Sequence, residues 1–302
     1  MISTILFDTI LYSTPIILCV IGGNFAYKAN VLNIALEGMM LSGAFFSMFI
    51  VYFTGNIPLA IIGALISGLL LGLLFSFLGI TCKGNVIVIG LGINMMVSGI
   101  AAFVLRLMNS SNIYVKTINV SIFKVNIPLI DNMPFIGKII SGHTVITYIS
   151  FLLIFVAWLL MYRTKLGIYV RTVGEDEDAA KSVGINTDFY KYMAVLIGAL
   201  FSALAGVNLS MENLMLFTNN MTAGRGFIAI AAIYCGQGKP VTSSLFALVF
   251  GLAWALSVDL STYAGSASGL FNIVPYILMT VVLAVVSIYR YKNNKMRGYK
   301  LE

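Results

Sequence analysis

Few side chains in this sequence could take part in bond-making chemistry. His143 is the one histidine among 302 residues, so no histidine-based metal cluster can be assembled within the chain. Cys19, Cys82 and Cys235 lie in or next to apolar runs without metal or disulfide spacing, and read as small buried hydrophobes. Glu37, Glu212, Arg225 and Asp259 fall within or beside apolar segments, where an ionised group is costly and faces a cavity or a partner. Gly236-Gln-Gly-Lys239 has the outline of a phosphate loop, but Pro240 stands where a Ser or Thr would contact Mg²⁺, and the preceding glycine spacing is missing. No set of nucleophile, base and metal emerges. What remains is a dense acidic cluster, Glu175-Asp176-Glu177-Asp178, inside the one long polar stretch, Gly167 to Asn186. Its chemistry is that of recognition.

The elements that must position these residues are membrane spans. The chain is 60% hydrophobic and 10% charged, with a mean hydropathy of +0.98, against roughly 25% charged residues in soluble domains. Eight apolar runs have the length needed to cross about 30 Å of hydrocarbon: 5–23, 31–53, 57–82, 86–107, 144–162, 191–211, 241–258 and 271–289. A ninth, 214–236, is interrupted by Asn219, Asn220, Thr222 and Arg225. The expected fold class is an all-α polytopic membrane protein of about nine transmembrane helices with one broken span. The first 27 residues hold no Lys or Arg, so the N-terminal run is expected to stay as a span and not to be cleaved as a signal peptide.

Charge sets the expected orientation. The net charge of +7 could suggest nucleic acid, but Arg290, Lys292, Lys295, Arg297 and Lys300 directly follow an apolar run and read as a cytoplasmic anchor. With nine crossings the N-terminus lies outside and this basic tail, 290–302, inside. Lys28, Lys83, Arg163, Lys165, Arg171, Lys181, Lys191 and Lys239 then fall inside, and only Arg106, Lys116, Lys124 and Lys138 outside. Segment 108–143, with Pro128, Asn132 and Pro134, is an external connection too short for a separate domain, so one membrane domain is expected over 1–302. Ala194, Gly198, Ser202, Gly206 and Ser210 recur every four residues, a continuous small face against which a neighbouring backbone can pack within the subunit. Gly68 with Gly72, and Ala247, Gly251 with Ala255, repeat this more weakly.

The inward loop 163–190 carries the acidic cluster. Glu175 to Asp178 followed by Ala179-Ala180-Lys181-Ser182 predicts a short helix with acids in its first turn and Lys181 in its last, an order that complements the helix dipole. Gly174 before it and Gly184 after it limit the helix to about two turns, roughly 12 Å. Thr187 or Asp188 is expected to cap the next span. On so short an element Ala179, Ala180, Val183 and Ile185 would be exposed unless a partner's groove covered them. An ordinary solvated loop is compatible with the same composition.

The pattern Gly167, Arg171, Val173, Gly174, Glu175, Ala180, Gly184, Ile185, Asn186 resembles the cytoplasmic coupling loop of ABC importer permeases in the simple-sugar, nucleoside and branched-chain amino acid superfamily. Two further stretches agree in order: 33–45, Asn33-Ile-Ala-Leu-Glu-Gly-Met-Met-Leu-Ser-Gly-Ala-Phe45, and 220–232, Asn220-Met-Thr-Ala-Gly-Arg-Gly-Phe-Ile-Ala-Ile-Ala-Ala232. The likeness runs from about residue 10 to 289 and is strongest to the shorter permease of bacterial nucleoside importers. Ala35, in place of a usual glycine, and Gly236-Gln-Gly-Lys-Pro240 depart from the family pattern.

The resemblance implies a type II-like ABC importer permease in the bacterial plasma membrane. Its partners would be an ABC ATPase, a second permease in a heterodimer and an extracytoplasmic substrate-binding lipoprotein. It implies no cofactor on this chain, with ATP and Mg²⁺ used by the ATPase. Arg171, Gly174, Glu175, Asp176, Ala179, Ala180, Val183, Gly184 and Ile185 would then couple to the ATPase. Asn33, Glu37, Ser42, Asn94, Asn208 and Arg225 are candidates for the translocation path, although the residues themselves favour structural work for Glu37 and Arg225, Arg225 as the anchor of a break between Gly224 and Gly226. The cargo expected first is a nucleoside, then a simple sugar such as ribose. A rival of another class, an ion-driven secondary transporter, would need an ion site near the bilayer midplane, for which Glu37 or Asp259 is the best candidate.

Overall fold

Apolar run length dictates the architecture, because backbone groups inside a bilayer must be satisfied within their own helix. The computed structural model describes residues 2–115, 120–126, 136–263, 271 and 273–296. Lys116, Pro128, Asn132, Pro134, Arg297 and Lys300 lie outside the described residues. The helices are α1 (Ile2–Lys28), α2 (Leu36–Thr54), α3 (Ile57–Ser76), α4 (Val86–Leu107), a short α5 (Ile136–Ile140), α6 (Val145–Arg163), α7 (Lys165–Glu175), α8 (Glu177–Ser182), α9 (Thr187–Val207), α10 (Arg225–Gly236), α11 (Pro240–Tyr263) and α12 (Val274–Met296). Two continue through a π-helical turn, α3 over Phe77–Thr81 and α9 over Asn208–Glu212. Among the described residues eight helices are long and apolar enough to cross a membrane, and they coincide with the eight apolar runs.

The ninth run breaks as expected. After α9, strand β2 (Leu216–Thr218) pairs antiparallel with β1 (Asn112–Tyr114), which follows α4, with Ile113 opposite Phe217. The chain then turns at Ala223 and Gly224, both at positive φ, and enters α10, whose 12 residues span only about 18 Å. At its far end α10 meets the end of α1: Tyr234 stacks edge-on against Tyr27, ring centroids 5.2 Å apart, and Arg290 donates to the carbonyls of Tyr234 and Cys235. The end of α1 in turn touches α7. Segment 213–236 therefore passes from the β1–β2 face to the face where α1 ends, part strand and turn and part helix, and the end of α12 packs there against the end of α10.

Packing is built on small residues. Ala194, Gly198, Ser202, Gly206 and Ser210 are all buried, with α1 on one side and α2 and α3 on the other. A Cβ at Gly22 would fall 2.9 Å from the Gly198 Cα. Gly206 sits against the backbone of Met40 and Ala44, and a Cβ at Gly68 would lie 2.6 Å from that of Ala203. The same logic brings Gly251 of α11 to Ser13. These three helices, α1, α2 and α9, are the most deeply buried, and α12 the least.

Three expectations for the polar loop are corrected. The stretch 165–175, including Gly174 and Glu175, is itself helical, and the short helix starts at Glu177, since Asp176 is extended (φ −152°) and its carboxylate accepts from the N–H groups of Asp178 and Ala179. Capping of the next span falls to Asn186, whose side chain accepts from Phe189 N–H, not to Thr187 or Asp188. Ala180 is fully buried by the chain itself and Ile185 is half-buried, so only Ala179 and Val183 of that apolar set are exposed.

Candidate functional site: a docking loop and a capped helix break

The polar loop 163–190 is fastened to the helices by its own contacts. Thr164 caps α7 through Gly167 N–H, and Gly167, Val170 and Val173 face inward. A side chain at Gly167 would collide with the carbonyls of Leu160 and Met161. Arg171 donates to the Gly167 carbonyl and lies over the Tyr162 ring, 4.8 Å from its centroid. Gly174 packs directly on the Lys28 carbonyl at the end of α1, leaving no room for a Cβ.

Helix α8 closes with Gly184 at φ +81°. Gly184 N–H bonds to the Lys181 carbonyl and Ile185 N–H to that of Ala180, a Schellman closure that needs the left-handed glycine. Glu177 turns back onto the chain, pairing with Lys181 at 2.8 Å and with Lys191. These hydrogen bonds, Lys181 first and Lys191 second, hold its carboxyl near a pKa of about 2. The acids thus divide their tasks: Asp176 caps, Glu177 fastens the loop to α9, and Glu175 and Asp178 stay exposed beside Ala179 and Val183.

The second assembly surrounds the start of α2. Asn33 accepts from Ala35 N–H at 3.0 Å. Asn94, roughly 12 Å along α4, accepts from Gly38 N–H at 2.7 Å and donates to the Ile34 carbonyl at 3.0 Å. Glu37 reaches across to the start of α10, its two oxygens accepting from Gly224 N–H at 2.8 Å and Gly226 N–H at 2.6 Å. An anion at the N-terminus of a broken helix satisfies orphan donors and complements the dipole. Gly226 is required by the contact, since a Cβ there would lie 2.6 Å from the Glu37 backbone. Arg225 points away from Glu37 to the carbonyls of Met221 and Thr222, at 3.1 and 3.2 Å, and lies 4.0 Å over the Trp254 ring. Tyr276 O–H donates to the Ala223 carbonyl at 2.6 Å.

Asn33, Glu37, Asn94 and Arg225 therefore share one junction. Ser42 lies one to two turns along α2, bonded to Ser67 at 2.8 Å, in a groove of about 200 Å³ with Phe45, Leu70, Val97 and Ile100. Asn208 stands apart, fully buried, donating to Thr144 and Glu212 at 3.1 and 2.9 Å. Trp254, Tyr276 and Lys191 were absent from the expected set. Nothing local marks them, beyond the general need of a buried guanidinium for an aromatic or anionic partner. Among the described residues no group of three or more His, Cys, Asp or Glu could hold a metal ion.

Eight apolar helices long enough to span, among the described residues, make this a protein that crosses the membrane several times. The chain belongs to the family described as the permease component of the branched-chain amino acid transport system, which it matches over residues 5–283. It is thus a non-catalytic, multi-pass permease of the bacterial inner membrane. It is 33% identical to the guanosine ABC transporter permease protein NupQ of Bacillus subtilis, covering 93% of this chain and 88% of that protein. The nucleoside ABC transporter permease protein NupC of Lactococcus lactis is 31% identical over 92% and 90%. The ribose import permease protein RbsC of Escherichia coli is 32% identical over 32% of each chain. No solved structure gives a significant match.

Proposed function

We propose that this chain is one permease of a nucleoside importer, driven by a separate ATPase that binds ATP and Mg²⁺ and grips the exposed face of α7–α8. The side bearing Glu175, Asp178, Ala179 and Val183 is the cytoplasmic one, and a sister permease and a substrate-binding lipoprotein complete the assembly. The observation that carries the reading is mechanical. Gly174 of α7 abuts Lys28, and the residues that follow Lys28 carry Asn33, Glu37 and the Asn94 contact, so displacement of the α7–α8 unit is delivered to the junction where α2 and α10 begin. The path candidates then act mainly by holding these helix starts while weak hydroxyl and amide contacts, such as those of Ser42 and Ser67, pass a neutral cargo. Ion-gradient coupling at Glu37 fits less well, because both its oxygens already accept from backbone N–H groups.

The test is reconstitution with the ATPase, sister permease and binding protein, measuring which solute stimulates ATP hydrolysis and uptake. Deletion of 177–182 should abolish ATP-coupled uptake with membrane insertion intact; unchanged uptake would overturn the coupling role. Stimulation by ribose and by no nucleoside would transfer the reading to a sugar importer.

A further inference from the structure

Where α10 ends, a turn through Gln237 and Gly238, both at positive φ, leads straight into α11. It sets Lys239 beside the last turns of α12, where Arg290 donates to the carbonyls of Tyr234 and Cys235. Lys239 and Arg290 line one cavity of about 500 Å³, a wedge between α11 and α12. Thr242 and Tyr289 stand with them, and Phe246 and Val285 form its apolar part. Phe246 lies about 10 Å along α11 from Lys239, and Val285 about 7.5 Å along α12 from Arg290. The wedge is therefore cationic at the helix ends and apolar towards the middle of the spans. Its lysine comes from Gly236-Gln-Gly-Lys-Pro240, the stretch that departs from the family pattern.

The charges here are all of one sign. No Asp or Glu lines the wedge, and among the described residues none of Lys239, Arg290 and Lys292 forms an ion pair. Lys239 is exposed, as is Lys292 just beyond the cavity. Arg290 uses two N–H groups on the α10 carbonyls, and its guanidinium has further donors to offer. Glu175 belongs to a different cavity, shared with Lys28 and Arg171. The surroundings are those of a span in lipid. Helix α12 is the least buried of the eight spans, and Tyr289 and Tyr291, 67% and 56% exposed, carry the amphipathic rings that settle at headgroup level. Phe246 and Val285 then lie below that level, in hydrocarbon, beyond the reach of a soluble subunit. A zwitterionic lipid would bring its own cation to Lys239 and Arg290, whereas an anionic one meets only opposite charge. At about 500 Å³ the wedge is within the about 300–1,000 Å³ of small-molecule sites, room for a head group and the first chain carbons, with the chains continuing into the bilayer.

We infer that this wedge binds an anionic phospholipid of the leaflet at which α10 and α12 end, with the phosphate between Lys239 and Arg290 and an acyl chain along Phe246 and Val285. The site is independent of which cargo the chain carries. The test counts lipid retained by the purified full chain in native mass spectrometry, with phosphatidylglycerol and phosphatidylcholine of identical acyl chains as probes. Phosphatidylglycerol should be retained at least about tenfold better. Lys239→Gln should weaken its retention about fivefold, the effect of one basic residue beside an anionic head group. Lys165→Gln, which removes an exposed charge away from the wedge, should leave it unchanged. Val285→Trp should abolish retention by filling the apolar part, while Val281→Trp, one turn along α12, equally exposed and outside the cavity, should not. Equal retention of the two lipids, equal losses in the two lysine variants, or retention unchanged in Val285→Trp would overturn the site. So would loss of the bound phosphatidylglycerol on assembly with the ATPase and sister permease, which would give the wedge to a protein partner.

Discussion

Replacing Glu37 by Gln tests the capped break directly. The carboxylate satisfies two N–H groups, of Gly224 and Gly226, at the first turn of α10. Gln keeps one oxygen but sets an NH₂ where the second oxygen accepted, so one buried donor loses its partner and faces another donor. An unsatisfied buried donor costs about 1–3 kcal/mol, and loss of the negative charge at a helix N-terminus adds about 0.3–1 kcal/mol. The sum, about 1.3–4 kcal/mol, is a large share of the roughly 5–15 kcal/mol by which folded proteins are stable. At about 2 °C per kcal/mol for a chain of this size, the apparent melting temperature of the purified protein should fall by about 3–8 °C. Glu37→Asp keeps the charge but is one methylene shorter, and should fall between. An E37Q protein melting within about 1 °C of the wild type would refute the capping argument, because no other described side chain accepts from those two N–H groups.

Gly174→Val places a branched side chain against the Lys28 carbonyl, and reconstituted vesicles should retain ATP hydrolysis but lose uptake, with the ratio of the two as the measurement. Arg225→Lys loses the planar group over Trp254 and should lower the melting temperature by an amount equivalent to about 1–2 kcal/mol. The carboxyl of Glu177 is held near 2, below its ordinary 4.5, so its fastening of the loop is complete above about pH 4.5 and fades as pH falls toward 2. Acid-protease cleavage within 176–187 should rise over that window in the wild type and be high throughout in E177Q.

Span length and small-residue spacing were legible without coordinates because both are one-dimensional properties. Hydrophobic runs need only their own length to become helices in lipid, and the period of four from Ala194 to Ser210 already marks a close-packing face. The start of α8 was misplaced because composition does not tell the four acids apart. Four consecutive acids look equivalent in composition, yet only Asp176 took the extended backbone that lets its side chain cap Asp178 and Ala179, and only Glu177 found Lys191 across the loop. Which acid caps and which pairs is decided by a tertiary neighbour 14 residues away.

The junction shows a different limit. Glu37 and Arg225 both stood out as charges in apolar surroundings, and opposite charges suggest a pair. The structure joins their segments without pairing the charges: Glu37 takes the backbone on either side of Arg225, while the guanidinium turns to carbonyls and Trp254. The helix break accounts for this. In a bilayer the N–H groups at the start of α10 and the carbonyls just before it lie outside a continuous helix and are the costly groups, so the anion goes to the donors and the cation to the acceptors. Each charge replaces the water that the broken backbone lacks. The cation also sits where it can hold the turn Met221–Gly224 in place. A junction built in this way resists separation of α2 from α10, which would strand two N–H groups at once. On the proposed coupling, a push delivered through Gly174 and Lys28 to the start of α2 would therefore carry α10 with it.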